Sequence, residues 1–117
     1  MAEAVTTWRR ITMLIVLTAT PNADGAKALA RKIVGEKLAA CVQILPEMTS
    51  VYFWEGEVRT EPERLLLIKT VEEKYGELER FILENHGYDV PEIVAIPSEK
   101  VSASYLSWLS EYLEILK

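Results

Sequence analysis

The chain is poor in the residues that build common metal and catalytic sites. It has one cysteine, Cys41, and one histidine, His86, among 117 residues. A single cysteine excludes a disulfide within the chain, which favours the reducing cytoplasm as the location. Paired-cysteine and two-histidine metal motifs are therefore excluded, and the five glycines match neither a phosphate-binding loop nor a dinucleotide fingerprint. We do not expect an enzyme.

A concentrated basic region and long apolar segments are also missing. Thirteen Lys and Arg against eighteen Asp and Glu give a net charge of -5, and the basic residues are scattered. Proteins that bind nucleic acid usually gather Lys and Arg into a stripe that neutralises phosphates. No apolar run approaches the length needed to span a membrane. We expect neither nucleic acid nor a membrane as a partner.

The N-terminal region allows two interpretations. Two arginines precede a short apolar run, which is also the order found in a secretory signal. The run at residues 13–19 is rich in Leu, Ile and Val and ends at a Thr-Pro-Asn sequence, which is typical of a buried strand that leads into a helix. Because no small-residue cleavage site follows, we favour the strand. Residues 1–12 are then an N-terminal extension, and residues 13–117 form a single domain.

Apolar residues at helical spacing predict three helices. The first carries its apolar stripe over residues 26–38, and the second over residues 75–82. We expect the second helix to end at Gly87 in the left-handed conformation that glycine adopts easily. The third helix, over residues 105–116, has Ser102 as its predicted N-cap.

Short apolar runs predict the remaining strands. Residues 39–45 and 51–54 form one arm of a hairpin that bends at Pro46, and residues 64–71 form the other arm. A last strand at residues 90–96 lies between prolines, which favours the margin of a sheet. The order of elements predicts an α+β fold, a ferredoxin-like βαββαβ sandwich with a long bent hairpin and an extra C-terminal helix.

Both faces of the hairpin strands are apolar. Leu65 and Leu67 face one way, while Leu66 and Ile68 face the other. Two crossover helices can cover one face of the sheet, and the C-terminal helix can cover part of the second. The apolar surface that is left over predicts contact with symmetric copies of the same chain.

With these elements assigned, the chain resembles the CutA family of divalent-cation tolerance proteins. The resemblance is carried by the sequences EKLAAC at 36–41, YFWEG at 52–56, IKT at 68–70, HGY at 86–88, VPEI at 90–93 and YLSW at 105–108. It implies a homotrimer of ferredoxin-like subunits whose sheets pack inward, similar in shape to PII signalling proteins. It also implies a role in tolerance to copper and other divalent metals, with copper binding.

Candidate metal ligands are few. The resemblance implies a copper site built from a first-strand thiol and a histidine pair before a Pro-Tyr, but here Thr18 and Asn85 occupy two of those positions and only His86 matches. We therefore consider His86 and Cys41 as ligands for copper or another divalent ion. The alternatives are a histidine that contacts the carbonyls at a helix end and a cysteine that packs as a small hydrophobe. A hydrolase would require these two side chains to meet.

A second candidate site is a polar cleft with aromatic walls at a subunit boundary. Its predicted members are Lys69, Glu61, Tyr88, Trp54 and Glu92. An isolated buried ammonium is costly, so Lys69 is expected either to be exposed at the strand end or to be paired, with Glu61 or Glu92 as the natural partner. Such a cleft favours a PII-like sensor of an anionic metabolite, or an interaction scaffold whose interface holds an ion pair.

The hairpin turn is strongly acidic. Glu55, Glu57, Glu61 and Glu63 surround the turn. Carboxylates at such a density are typical of a solvated surface. We expect these four residues to form an exposed acidic rim.

Overall fold

The structure, a computed structural model, describes residues 11–115. Over these residues the predicted α+β fold is confirmed. The elements are β1 (Met13–Thr20), α1 (Ala23–Gly35), β2 (Cys41–Ile44), β3 (Met48–Trp54), β4 (Glu57–Val71), α2 (Tyr75–Asn85), β5 (Val94–Pro97) and α3 (Ala103–Tyr112). A short 3₁₀ turn, Glu72–Lys74, precedes α2.

Strand β4 organises the antiparallel sheet. It pairs with β1 along its second half, and with β2 and β3 in succession on its other side, while β5 adds to the free side of β1. The predicted bend is confirmed, because β2 and β3 are separate strands with Pro46 in the gap between them. Leu45 still bridges that gap, since its N–H donates to the carbonyl of Leu65 at 2.9 Å.

Strand β4 begins at Glu57, seven residues earlier than predicted. The reason is the turn, in which Glu55 and Gly56 have φ angles of 49° and 82°. Two consecutive positive φ angles are typical of the type I′ turn, which matches the twist of the two strands it joins. The chain therefore re-enters the sheet at once. Pro62 is tolerated inside β4 because this half of the strand pairs with β3 alone.

One face of the sheet packs against α1 and α2. Leu66 and Ile68 are fully buried there, against Ile33 of α1 and Ile82 of α2. Both predicted helical stripes are confirmed in their centres. Leu38 also lies in this core, but beyond the end of α1, because Glu36 caps the helix and Lys37 takes a positive φ.

The end of α2 differs from the prediction. Gly87 has no positive φ, and the helix stops because His86 is extended, with φ -91° and ψ 146°. The chain after His86 then runs outside the sheet until it joins the sheet as β5, whose first pair is Val94 with Leu17. For this reason β5 is four residues long instead of seven.

The opposite face of the sheet is covered only in part. Leu109 of α3 and Leu113, which follows the helix, pack against Met13 and Val71 at one end of the face. The predicted N-cap of α3 is confirmed, since the Ser102 side chain accepts the N–H of Tyr105.

The rest of this surface is named here the open face. Its apolar residues are Leu17, Leu65 and Leu67, which are half-buried, and Val94 and Ile96, which are 47% exposed.

Some of the sequence predictions concern the two ends of the chain. Residues 1–10, most of the predicted extension, and Leu116 lie outside the described residues. Thr12 contacts the domain through its carbonyl, which accepts the N–H of Glu72 at 3.1 Å. No helix within residues 11–115 combines the length and the apolar character that crossing a membrane requires.

Candidate functional site

A cavity of about 680 Å³ lies between β3 and the segment of residues 87–92 that follows α2. Its walls combine aromatic and acidic side chains, and no Lys or Arg is among the described residues that line it. The aromatic residues are Tyr52, Trp54 and Tyr88, and the acidic residues are Glu63, Asp89 and Glu92. This composition provides negative charge beside apolar walls.

The alternation of side chains along β3 and β4 determines which residues of the hairpin face this cavity. Tyr52 pairs with Arg59 and Trp54 pairs with Glu57, so both aromatic residues share a face with Glu61 and Glu63. The Tyr52 hydroxyl donates to Glu61 Oε1 at 2.6 Å. That bond, together with the loss of hydration and the Glu61 charge, raises the pKa of Tyr52.

Glu63 and Tyr88 join the two sides of the cavity. The Tyr88 hydroxyl donates to Glu63 Oε2 at 2.8 Å. Burial, followed by the hydrogen bond and the negative charge of Glu63, raises the pKa of Tyr88 well above its ordinary value. Glu63 is only 9% exposed, although it was predicted in an exposed rim. That expectation was wrong because the segment after α2 folds over the carboxylate.

His86 is fully engaged within the chain. Its Nδ1 accepts the backbone N–H of Tyr88 at 3.1 Å, and its Nε2 lies 2.7 Å from the carbonyl oxygen of Ala19. This network assigns the proton to Nε2, which donates to Ala19. No ring nitrogen is then left to bind a metal unless one of these bonds breaks. The ring contacts β1 and not the carbonyls at the end of α2.

Cys41 and Lys69 face each other across β2 and β4, far from the cavity. Within one chain, Lys69 Nζ donates to Gln43 Oε1 at 2.6 Å and is bonded to neither Glu61 nor Glu92. Lys69 lies six positions along β4 from Glu63, which is roughly 20 Å of strand.

The five residues that were predicted to form one cleft therefore do not all lie together within one chain. Trp54, Tyr88 and Glu92 line the cavity together. Glu61 adjoins it through Tyr52, and Lys69 lies on the open face.

The two candidate metal ligands also lie apart. Cys41 of β2 pairs with Lys69 of β4, which in turn pairs with Ile15 of β1. His86 contacts β1 at Ala19. Ile15 and Ala19 are four positions apart on β1, which corresponds to about 13 Å along the strand. The thiol lies instead near Tyr105, where burial first and the thiol second raise the pKa of that tyrosine. The pair that a hydrolase would need is not formed in this chain.

Residues 11–115 contain no group of three or more His, Cys, Asp and Glu side chains that could hold a metal ion. Copper and zinc usually take three or four ligands of defined geometry. A tight site built from one chain is thus not present in this part of the molecule.

Sequence reasoning missed Glu63 and Tyr52 as cavity residues. A signal for Glu63 was available, because it lies two and four residues before Leu65 and Leu67 and so shares their face of β4. Nothing local showed that residues 87–92 would cover it.

Comparison with known proteins identifies relatives of the whole fold. The family described as CutA1 divalent ion tolerance protein matches residues 14–112. The chain is 44% identical over 108 residues to the chloroplastic protein CutA 1 of Oryza sativa subsp. japonica, which covers 92% of this chain and 61% of that protein. It is 43% identical over 97 residues to the divalent-cation tolerance protein CutA of Thermus thermophilus, with 83% and 94% covered.

A solved structure agrees with these matches. The crystal structure of CutA1 from Oryza sativa superposes with a TM-score of 0.84 at 44% identity, covering 87% of this chain and 94% of that one. This chain spans about three fifths of the full rice protein. The identity and the coverage together show that the chain belongs to the CutA1 family of divalent ion tolerance proteins.

Proposed function

We propose that this protein acts in tolerance to divalent cations and that it does so as a cytoplasmic homotrimer. The family match over residues 14–112 carries the first part. A relative of which this chain covers 94% is named a divalent-cation tolerance protein. The cytoplasmic location follows the argument from the single cysteine.

The open face supports the trimer. Half-buried leucines and the exposed Val94 and Ile96 form an apolar surface that α3 leaves uncovered. The hairpin adds a second exposed apolar patch on its other side, where Val51 and Phe53 are 66% and 69% exposed. Apolar surface of this extent is typical of an interface between subunits, and closed rotational symmetry is the common way to cover it. A PII-like trimer with inward-facing sheets satisfies both requirements.

The proposed ion, copper or another divalent metal, is assigned to a position between chains. One chain offers too few ligands within residues 11–115. Cys41 lies on the sheet side that the trimer would turn inward, so its thiol, a soft ligand that suits Cu(I), would be available to a site between chains. His86 would take part only after releasing Ala19 or Tyr88.

Calorimetric titration of metal-free protein with Cu(II), and with Cu(I) under reducing conditions, tests the metal site. We expect saturable Cu(I) binding that Cys41→Ser abolishes and that His86→Asn leaves intact. Mass in solution is measured for each variant, so that a loss of assembly is not mistaken for a loss of ligand. Copper binding that ignores Cys41→Ser would reject the thiol site.

Growth of a host that lacks its own family member tests the tolerance itself. Expression of the wild-type chain should raise the concentration of added copper at which growth stops, and expression of Cys41→Ser should not. Equal growth of the host with the wild-type chain and with an empty vector would reject the proposal.

A second function, binding of a small molecule, is favoured by the cavity. Its volume of about 680 Å³ lies within the range of roughly 300 to 1,000 Å³ that is common for ligand pockets. An anionic metabolite, the ligand class first expected, is not supported, because Lys69 lies elsewhere and the described lining has no basic side chain.

A further inference from the structure

We propose that the cavity between β3 and residues 87–92 binds an organic ammonium group, with Glu63 as its counter-ion and aromatic rings as its walls. The proposal deepens the small-molecule candidate and does not depend on the metal site. It rests on one buried charge, on the rings beside that charge and on the sign of the surrounding charges.

The buried charge is the carboxylate of Glu63. This side chain is 9% exposed and lines the cavity. Its only hydrogen bond among the described residues is the one that Tyr88 donates to Oε2, and no Lys, Arg or His of residues 11–115 forms an ion pair with it. A carboxylate withdrawn from water without a cation is costly, and such groups are normally paired. The cavity beside it has room for the missing cation.

The rings favour an organic cation over a metal ion. Trp54 and Tyr88 line the same cavity as Glu63. The face of an aromatic ring attracts an ammonium group, and indole does so most strongly. A divalent metal would need several oxygen ligands in a fixed geometry, which these residues do not supply. An ammonium group needs one carboxylate and apolar contact.

Most of the remaining charges are negative, and the exception, Arg59 opposite Tyr52, lies beside Glu55 and Glu57. Asp89 and Glu92 are exposed residues of the cavity wall, and Glu61 adjoins it through Tyr52. Negative charges around a cleft raise the local concentration of cations and repel anions. The cavity therefore selects a positively charged ligand before any contact is made.

The ammonium group could belong to a free amine or to a lysine side chain of a second copy. Both present the same group to Glu63. The two sources predict different effects of removing the carboxylate. If the ligand is a free amine, only the affinity for the amine changes. If the ligand is a lysine of a second copy, the mass of the assembly changes.

Calorimetric titration with benzylammonium, in buffer treated with a chelator, tests the proposal. Benzyl alcohol is the matched neutral probe of similar size and shape. We expect benzylammonium to bind and benzyl alcohol to show no saturable binding. Glu63→Gln keeps the size and an oxygen that Tyr88 can reach, and it should weaken benzylammonium binding by at least roughly tenfold.

Two further variants secure the test. Glu99→Gln makes the same charge change on an exposed loop residue outside the cavity, and it should leave the affinity unchanged. Trp54→Leu keeps Glu63 but removes the indole, and it should weaken binding by roughly threefold or more. Circular dichroism of each variant confirms that it is folded.

Light scattering on the same samples separates the two sources. Weaker benzylammonium binding by Glu63→Gln at unchanged mass assigns the site to a free amine. A lower mass for Glu63→Gln, but not for Glu99→Gln, assigns it to a lysine of a second copy. The proposal is overturned if benzyl alcohol binds as well as benzylammonium. It is also overturned if Glu63→Gln and Glu99→Gln match wild type in both affinity and mass. Because chelated buffer contains no free metal, neither result bears on copper binding.

Discussion

The two faces of the central sheet differ in how they are completed. Leu66 and Ile68 point into a core closed by α1 and α2, and both are fully buried. Leu65 and Leu67, their neighbours on β4, point to the open face and stay half-buried. One strand thus serves a finished core and an unfinished surface. The difference teaches that the chain's own helices close one face of the sheet, whereas the other face is left for the copies that we propose to cover it.

The largest expected effect comes from the finished core. Ile68→Ala removes three buried carbons between β4 and the helices, and we expect the free energy of unfolding to fall by about 2 to 5 kcal/mol. Urea unfolding at a fixed protein concentration measures it. Leu83→Ala, at a position 54% exposed on α2, is the control and should cost less than about 1 kcal/mol. Equal losses for the two variants would contradict the account of this core.

The exposed apolar side chains of the hairpin, on the side of β4 opposite Leu65 and Leu67, should respond in mass more than in fold. Phe53→Glu puts a charge at a hairpin position that is 69% exposed, and we expect it to weaken association by about 2 kcal/mol per subunit, the value of one buried aromatic side chain. Sedimentation velocity over a dilution series measures the shift. Lys27→Glu, on the exposed side of α1, is the charge control and should leave the mass unchanged. A Phe53→Glu variant that associates like wild type would exclude the hairpin from the interface.

The bond from Tyr88 to Glu63 lies on the same side of β4 as Leu65 and Leu67. Tyr88→Phe removes the hydroxyl and should lower the free energy of unfolding by about 1.5 kcal/mol at neutral pH. Since the folded state raises the pKa of Tyr88 above its ordinary 10.0, this stability is complete below pH 10.0. It is lost as the pH rises further toward the folded pKa. Urea unfolding of both proteins across this range should show the difference shrinking with pH. A difference that stays constant would contradict the assigned hydrogen bond.

The smallest effect belongs to the cap of α1, which affects both faces only indirectly. The Asn22 side chain accepts the N–H of Gly25 at 2.8 Å. Asn22→Ala should cost about 1 kcal/mol of unfolding free energy, and Asn22→Ser should cost much less because serine also caps helices. Thermal unfolding of the two variants compares them. Equal losses would show that the cap contributes nothing beyond the backbone.

Much of the fold could be predicted because it depends on local patterns. Alternation on β4 separated Leu66 from Leu67, helical spacing marked the buried centres of α1 and α2, and Ser102 identified the start of α3. Each of these signals lies within one element. Two boundaries that failed, at Gly87 and at the start of β5, are those where the chain is held by a contact distant in sequence, whereas the early start of β4 follows from the turn at Glu55 and Gly56.

The candidate site could be predicted only in part for the same reason. Tyr88 and Trp54 were recognised by type, but their neighbour Glu63 was assigned to the solvent. Lys69 was paired with acids, although β2 brings Gln43 beside it from 26 positions away. His86 looked like a free ligand because its bond to Ala19 spans 67 positions. Such partners depend on the assembled fold and leave no local pattern.

The mass of the protein in solution tests the central claim, that the open face is completed by copies of the same chain. Sedimentation equilibrium at several concentrations measures it without assuming a shape. The account predicts a species of three times the 13.3 kDa of one chain, stable on dilution. A single species of 13.3 kDa at all concentrations would contradict it and leave the open face without a partner.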